Sequence, residues 1–553
     1  MVLSGADIIV RTLIEQGVDT VFGYPGGQII DVYDSLYKYQ NEIKHILTAH
    51  EQGAAHAADG YSRTTGKVGV VISTSGPGAT NLVTGIATAH LDSVPLVAIC
   101  GNVPTYQLGT DGFQEIDITG ITLPITKHNY VVDSVDKLAD TIREAFFIAN
   151  SGRPGPVLID VPKDVQTAEC EYESKSAVSQ QEKYGCEDIS DAVKCLRSAK
   201  RPFIYFGGGA IISGAENEII RLADLIDAPI GCSLMGISGV PSDHPRFLGM
   251  QGMHGRYASS AAMASADCIL ALGVRFSDRA TGDASKFAPS AKIIHIDVDS
   301  AEFSKNVFPA FELKGDVKLT LEKFISALKK KKRTEWMMQV SKFKEYENSC
   351  ADNRNFLTPH IALSALNKYL DADTPVVTDV GQHQMWAAQI VKFSKTRRFV
   401  TSGGLGTMGF GIGAAIGAYF GTGKRTVLIT GDGSFGMSLN EIATAVSNKI
   451  PVVILMLNNG VLGMVRQWQT FFYDKHYSAT VLDRKTDFIA IMKAFGADAV
   501  CVNSPDELGR AYEKAFASDC PFLIDCRIDK DELVLPMMPP GGTAEEIIVK
   551  VGE

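Results

Sequence analysis

The sequence predicts an α/β protein of three domains, each a doubly wound parallel sheet. Short buried runs alternate with helical patterns, as in 425–457, where RTVLIT and PVVILML bracket a helix. Glycine-rich turns follow strand patterns in every third of the chain. The length of 553 residues is enough for about three or four domains.

Composition narrows the class of protein. Hydrophobic residues make up 45% and charged residues 21% of the chain, as in ordinary globular proteins. The net charge of −10 argues against a nucleic-acid partner or a basic membrane-binding surface. Ten cysteines without CxxC spacing fit a reducing compartment, and no apolar run approaches the roughly 20 residues of a membrane span. We therefore expect a cytoplasmic protein.

A repeated pattern divides the chain. We expect a first domain over 1–180, a central domain over 185–345, a third domain over 355–535 and a tail over 536–553. IATA occurs at 86–89 and at 442–445, and Pro95 and Pro451 follow at the same spacing. Each copy comes after a Val/Ile-rich strand and a glycine-rich loop. This repeat indicates that the first and third domains are duplicates of one α/β unit.

Two polar turns in the third domain predict a magnesium-bound diphosphate. Gly431, Asp432 and Gly433 follow one buried strand into a loop, and Asn459 follows the next strand. The carboxyl ends of parallel strands share one edge, where glycines admit phosphate oxygens. Because Mg²⁺ prefers a few protein oxygens plus phosphates, we expect Asp432, Asn459 and the Val461 carbonyl as ligands. Either tripeptide alone is also typical of an ordinary turn.

A carboxylate opens an Ala-rich helix in the first domain. The segment HEQGAAHAADGYSR predicts a helix from near His50. Glu51 is either a reactive acid or a solvated first-turn residue favoured by the helix dipole. The zinc-protease pattern HExxH is excluded because position 54 is Ala.

The central domain has a weak nucleotide-binding pattern. RPFIYFGGGAIISGA predicts a strand, a glycine turn and a helix, but Ile212 breaks GxGxxG. Asp297 follows a strand, as a ribose-binding acid would. A cofactor-free spacer domain is the alternative. The basic run 329–333 is expected to be a solvated linker, and the charged segment from Trp336 a connection to the third domain.

Motifs along nearly the whole chain identify a family. They include VFGYPGG, HEQGAAHAADGYSR, TSGPGATNLVTGIA, FQEID, RPGPVLIDVPKD, LGMQGMHG, DVGQHQMWAAQ, SGGLGTMGFG, GDGSF, LNNGVLGMVRQWQ and LPMMPPGG. Together they resemble the catalytic subunit of acetohydroxyacid (acetolactate) synthase, a thiamine-diphosphate family. The resemblance implies pyrimidine-binding, central FAD-binding and diphosphate-binding domains, in that order along the chain.

The resemblance also implies an activity and an assembly. Pyruvate would be decarboxylated on thiamine diphosphate, and the hydroxyethyl carbanion transferred to pyruvate or 2-ketobutyrate. The products would be 2-acetolactate or 2-aceto-2-hydroxybutyrate, on the route to valine, leucine and isoleucine. Mg²⁺ and an FAD without net redox chemistry are the further cofactors. A homodimer or homotetramer with active sites between subunits is expected, and a small regulatory subunit is left open.

Individual roles follow from the same resemblance. Glu51 would bond the aminopyrimidine ring and promote its imino tautomer. Arg279 and Trp468 would shape the acceptor pocket. The substrate approach would be lined by Gly27, Phe113, Gln114 and Lys163. Thiamine diphosphate would be surrounded by Gln382, His383, Gly406, Met408, Gly433, Ser434, Gly463 and Met464. FAD would be surrounded by Arg153, Gly208, Leu234, Met253, His254, Gly273, Arg275, Asp297 and Asp316.

One departure from the family pattern bears on substrate choice. Gln28 stands where the family has Ala, beside the expected thiazolium position, and would narrow the pocket or bond an unusual substrate. It raises the alternative of a related carboligase with another acceptor, or a hydrolase of cyclic diketones. A non-enzymatic paralogue would need a broken acid or metal site, whereas Glu51, Asp432 and Asn459 are all present.

Overall fold

Three six-stranded parallel sheets, each flanked by helices, form the protein. The computed structural model describes residues 1–177, 181–350 and 354–550, so the ends of the expected ranges 1–180 and 536–553 lie outside the described residues. The α/β prediction is confirmed. Among the described residues, none of the helices combines the length and apolar character needed to span a membrane.

The first sheet has the spatial order 2-1-3-4-6-5 when its strands are numbered along the chain. Its strands are Thr20–Tyr24, Lys44–Leu47, Gly69–Ser73, Leu96–Asn102, His128–Val131 and Pro156–Pro162. Its helices are Gly5–Glu15, Ile30–Lys38, Glu51–Thr65, Pro77–Asn81, Val83–Leu91, Ile118–Thr122, Val135–Asn150 and Lys163–Thr167. Val2–Ser4 pairs with Glu169–Glu171 in a separate antiparallel ribbon. Apolar side chains on both faces of the six-stranded sheet are buried, as parallel sheets require.

The third sheet has the same spatial order, which agrees with the repeat in the sequence. Its strands are Val376–Thr378, Phe399–Val400, Val427–Thr430, Val453–Asn458, Asp498–Val502 and Phe522–Arg527. Its helices are Pro359–Leu366, Gln382–Ile390, Gly411–Thr422, Asp432–Ser438, Ile442–Ser447, Gly463–Phe472, Phe488–Ala494 and Pro505–Ala517. One apolar core contains side chains from both this sheet and the first, so the two domains share a packed interface.

The middle sheet differs, with the order 3-2-1-4-5-6. Its strands are Pro202–Phe206, Ile230–Cys232, Phe247–Met250, Cys268–Leu272, Lys292–Asp297 and Phe311–Lys314. Its helices are Ser190–Ser198, Gly208–Ser213, Glu216–Ile226, Tyr257–Ala264, Asp278–Thr281, Val317–Ala327 and Thr334–Ser349. This order is typical of dinucleotide-binding domains, in which ligands bind where the chain reverses direction, between the first and fourth strands.

Two helices rich in small residues hold the first and third domains together. Glu51–Thr65 packs along Gly411–Thr422. A Cβ on Gly417 would lie 1.8 Å from the carbonyl oxygen of Ala57, so only glycine permits this approach. The helix that begins at Glu51 is therefore fixed by the third domain of the same chain.

Residues 329–332 are exposed and outside any helix, as expected for a solvated linker, whereas the structure corrects the expectations for Arg333 and Trp336. Arg333 is 6% exposed, and its guanidinium donates to the carbonyls of Leu196 and Ala199 at 3.1 and 3.0 Å. Free carbonyls at a helix C-terminus attract cations, which explains the burial. Trp336 is buried in the packed helix Thr334–Ser349, and its indole N–H donates to the carbonyl of Pro202 in the middle domain.

Candidate active site

The residues of the two polar turns meet at the carboxyl edge of the third sheet. Strands Val427–Thr430 and Val453–Asn458 are parallel neighbours, so Asp432 and Asn459 lie at the same edge. Asp432 opens the helix Asp432–Ser438, which corrects the expectation of a loop. A carboxylate in the first helical turn is favoured by the helix dipole. Burial raises the pKa of Asp432 to about 6, and a bound divalent cation would offset that effect.

Asn459 is held beside the start of a second helix. Its side-chain amide donates to Gln382 Oε1 at 3.2 Å, and its own oxygen accepts from the Val461 backbone at 3.2 Å. A Cβ on Gly463 would lie 1.9 Å from Gln382 Oε1. Gln382 lies 77 residues from Asn459 in the sequence, and the structure brings it next to Asn459 and Gly463.

The donor set at this edge fits a diphosphate. The His383 ring is buried, its Nε2 has no hydrogen-bond partner among the described residues, and burial lowers its pKa to about 3. A neutral imidazole carries one ring proton, and in the tautomer that has it on Nε2 a phosphate oxygen would satisfy this otherwise unpartnered N–H. Met408 Cε lies 3.9 Å from the position of a Cβ on Gly433. Ser434 is buried, with its hydroxyl 3.3 Å from that of Thr430.

Glu51 lies at the carboxyl edge of the first sheet. It is the first residue of its helix, His50 is the N-cap, and the His50 ring accepts from the Gln52 backbone. Asn81 Nδ2 donates to Glu51 Oε2 at 2.9 Å. A Cβ on Gly78 would lie 3.2 Å from Glu51 Oε1, so the helix Pro77–Asn81 approaches the carboxylate closely at this glycine.

The other residues of the expected substrate approach lie at this edge too. Lys163 Nζ donates to the Gly27 carbonyl at 2.9 Å. Gln114 adopts φ 62°, and a Cβ on Gly76 would lie 3.0 Å from its Cα. The neighbouring Phe113 is 84% exposed, which is unusual for a large apolar residue. This half of the site therefore has an open apolar surface.

A cavity of about 1590 Å³ lies between the three domains, and its lining includes Arg63 and Asp92 of the first domain. Every residue expected around FAD lines it: Arg153, Gly208, Leu234, Met253, His254, Gly273, Arg275, Asp297 and Asp316. Its lining also includes Gly406, Met408, Met464, Arg279 and Trp468. The described residues that line this cavity include none of Gly27, Glu51, Phe113, Gln114 and Lys163.

The cavity fits a dinucleotide at the reversal point of the middle sheet. The turns after the first and fourth strands touch there, since a Cβ on Gly209 would lie 2.7 Å from the Gly273 Cα. Burial raises the pKa of Asp297, at the end of the fifth strand, to about 6. The buried His254 Nδ1 has no partner among the described residues. Asp316 already accepts from Leu319 N, as a helix cap.

Arg279 and Trp468 are in contact although they come from different domains. The guanidinium carbon lies 5.2 Å from the indole centroid, within the range of a cation–π interaction. The tail packs beside them, where Met538 N donates to the Met253 carbonyl at 2.7 Å. The pair therefore lies where the cavity meets the tail.

Two supporting residues were not expected from the sequence. Asn81 holds Glu51 through the hydrogen bond to its Oε2. Asp379 is fully buried and accepts from the backbones of Val380 and Gly409 at 2.9 and 2.8 Å, which fixes the loop that carries Met408. Asp379 directly follows the strand Val376–Thr378, which is the only signal the sequence offers for it, whereas Asn81 ends the short helix Pro77–Asn81.

Comparison with known families and proteins agrees with this geometry. Three family models match in chain order: the N-terminal TPP binding domain of thiamine pyrophosphate enzymes over 3–121, their central domain over 189–324, and their C-terminal TPP binding domain over 379–526. The chain is therefore a thiamine-pyrophosphate enzyme.

Curated relatives are similar over almost the entire chain. A probable acetolactate synthase large subunit of Methanocaldococcus jannaschii is 44% identical, covering 99% of this chain and 95% of the relative. The acetolactate synthase isozyme 2 large subunit of Escherichia coli is 42% identical, and the match covers 99% of this chain and 100% of the relative. The acetolactate synthase large subunit of Corynebacterium glutamicum is 42% identical, and the match covers 100% of this chain and 91% of the relative. The chain therefore belongs to the acetolactate synthase large-subunit family of thiamine pyrophosphate enzymes.

Proposed function

We propose that this chain is the catalytic subunit of an acetolactate synthase that uses thiamine diphosphate, Mg²⁺ and FAD. It condenses pyruvate with a second 2-ketoacid, pyruvate or 2-ketobutyrate, after loss of CO₂. The observation that carries the proposal is the contact of Arg279 with Trp468 in a cavity that also contains Met408 and the FAD-type residues.

The third domain supplies the binding half of the site. Asp432, Asn459 and the Val461 carbonyl would hold Mg²⁺, and His383, in the tautomer protonated on Nε2, would donate to the diphosphate. When bound, thiamine diphosphate supplies a carbon nucleophile and an electron sink for decarboxylation. Met408 packs against the cofactor from the loop that Asp379 fixes.

The first domain supplies the acid half. Glu51 would hydrogen-bond the aminopyrimidine ring when the cofactor is bound, and Asn81 holds one carboxylate oxygen of Glu51 in place. Arg279 binds the carboxylate of the acceptor, and Trp468 limits the size of its side chain. The exposed Phe113 and the absence of Glu51 from the cavity lining support a site completed by a second copy of the chain. A small regulatory partner is proposed from the "large subunit" in the relatives' names.

The product formed from pyruvate tests the proposal. Purified protein is incubated with pyruvate, Mg²⁺, thiamine diphosphate and FAD, and acetolactate is assayed while the flavin spectrum is recorded on the same sample. We expect acetolactate and a protein-bound flavin. Glu51→Gln is expected to retain the cofactors and lose about 10²–10⁴-fold in kcat. Acetaldehyde as the sole product, or no consumption of pyruvate, would contradict the proposal.

Gln28 is tested separately with a panel of acceptors. The Gln28 carbonyl accepts from Gln166 Nε2 at 2.8 Å, next to the Gly27 carbonyl that binds Lys163. If Gln28 sets substrate choice, Gln28→Ala will change the ratio of products from competing acceptors. Identical ratios in both proteins would remove Gln28 as a specificity determinant.

A further inference from the structure

Glu441 is a buried carboxylate of the third domain that bonds to the first domain. It ends the short 3₁₀ helix Leu439–Glu441, just beyond the helix that Asp432 opens, and is 1% exposed. Its Oε2 accepts from the Ala49 backbone at 3.1 Å and from the Thr444 hydroxyl at 2.7 Å. Its Oε1 has no hydrogen-bond partner among the described residues. No step proposed for the reaction uses this group.

The contact lies at the first turn of the helix Glu51–Thr65. Ala49 comes just before the N-cap His50, so the Glu441 carboxylate faces the positive end of the helix dipole. A Cβ on Gly53 would lie 2.1 Å from Glu441 Oε1, so the turn closes directly on the carboxylate. Because the Glu441 carboxylate is buried and accepts the Ala49 N–H, it fixes the position of the first turn of this helix.

We propose that Glu441 is a positioning residue, which fixes the first turn of the Glu51 helix and thereby aims the Glu51 carboxylate at the aminopyrimidine ring. The inference rests on the proposed function, because it presupposes that role for Glu51. Asn81 restrains Glu51 from within the first domain, and Glu441 restrains the backbone from the third. The start of the helix is thus held from two sides.

Exchange of the thiamine C2 proton with deuterium tests this role without turnover. The rate is measured by quenched-flow NMR on holoprotein at saturating thiamine diphosphate and Mg²⁺. Glu441→Ala is expected to slow exchange by about 10- to 100-fold, because a small displacement of the Glu51 carboxylate weakens its action on the ring. The affinity for thiamine diphosphate is expected to stay unchanged. Glu441→Gln keeps the shape and an acceptor oxygen, so it is expected to restore most of the rate.

A second variant keeps the carboxylate. Thr444→Val removes one hydrogen bond to Glu441 Oε2 and is expected to slow exchange by about two- to tenfold. Glu218→Ala is the matched control, because Glu218 is also a buried carboxyl but lies in the middle domain; it is expected to leave the rate unchanged.

Backbone amide exchange of the protein without cofactors gives an independent readout. Peptides that cover 48–54 are expected to exchange faster in Glu441→Ala than in wild type, and equally fast in Glu218→Ala. Unchanged C2 exchange in both Glu441→Ala and Thr444→Val would overturn the inference. If Glu51→Gln also leaves C2 exchange unchanged, the proposed function fails instead, so the two failures are distinguishable.

Discussion

Arg279 and Trp468 are the two residues on which acceptor choice is expected to depend. They come from different domains and meet in a cation–π contact beside the tail. The Arg279 side chain remains 60% exposed and has a long 3.7 Å ion pair with the exposed Asp278, so its guanidinium is accessible to a substrate carboxylate. Under the proposed function, a flat indole next to that cation would limit the size of the second 2-ketoacid.

Shortening Trp468 tests this limit. Trp468→Leu removes the indole surface, so we expect discrimination between 2-ketobutyrate and pyruvate as acceptors to fall. A pocket resolves one methylene by about 1–3 kcal/mol, which bounds the change at about 10- to 200-fold. The two acceptors compete in one reaction, so the product ratio does not depend on the amount of active enzyme. An unchanged ratio would remove Trp468 from the acceptor pocket.

Asp160 makes the stability of the first domain depend on pH. Burial raises the pKa of its carboxyl to about 7 from an ordinary 3.8, and the Asn102 amide, at 2.6 Å, opposes that shift only in part. Because the native pKa is above the unfolded one, the stabilisation is present below about pH 4 and is lost as pH rises to about 7. The full loss is about 4 kcal/mol.

Asp160→Asn isolates this effect. The amide oxygen still accepts from Asn102 but no longer titrates. We expect the stability of the variant relative to wild type to increase by about 3 kcal/mol between pH 5 and pH 8. Calorimetric melting of both proteins across this range measures the difference, and a difference independent of pH would contradict the assignment.

At the level of elements, the start of the helix Gly463–Phe472 packs against the residues of the proposed metal site. Gly463→Ala would put a Cβ 1.9 Å from Gln382 Oε1 and 2.8 Å from Asn459 Nδ2. We expect displacement of Asn459 and at least a tenfold loss of Mg²⁺-dependent thiamine diphosphate affinity, about 1.4 kcal/mol, by calorimetry. Gly509→Ala is the matched control, because a Cβ on this exposed helical glycine meets nothing within 4 Å. Equal affinities in the two variants would contradict this placement.

Elements with strong local signals were predictable from the sequence. The buried strand Val453–Asn458 and the helix that starts at Glu51 have clear periodicity or caps. The helix Asp432–Ser438 was missed because its DGSFG sequence is typical of a turn; the helix depends on burial of Phe435 and on the sheet edge. Arg333 was missed because its carbonyl partners belong to distant helices.

The sequence was also sufficient to predict the part of the candidate site that lies at the ends of strands. The glycines, Asp432 and Asn459 come directly after strands, so topology alone brings them to one edge. Glu441 gave no such signal, because its partner Ala49 is 392 residues away in the chain. A sequence pattern therefore locates the residues at the ends of strands, whereas contacts between domains depend on tertiary packing.

At the scale of the whole molecule, the site residues form two groups within one chain. The metal-binding group lies at the edge of the third sheet, and the acid group lies at the edge of the first, beside the exposed Phe113. The shared strand order gives the two domains equivalent edges. In a two-fold symmetric dimer, the acid edge of one copy would face the metal edge of the other, which forms two equivalent sites.

The most direct test mixes two inactive variants. Glu51→Gln lacks the acid and Asp432→Ala lacks the metal ligand, so each homodimer has two defective sites. After the two are unfolded and refolded together, half of the dimers are mixed, and each mixed dimer has one intact site of two. We predict recovery of about one quarter of wild-type acetolactate synthesis. No recovery, with mixed dimers shown by mass spectrometry, would mean that Glu51 and Asp432 of one chain act together and would contradict the shared site.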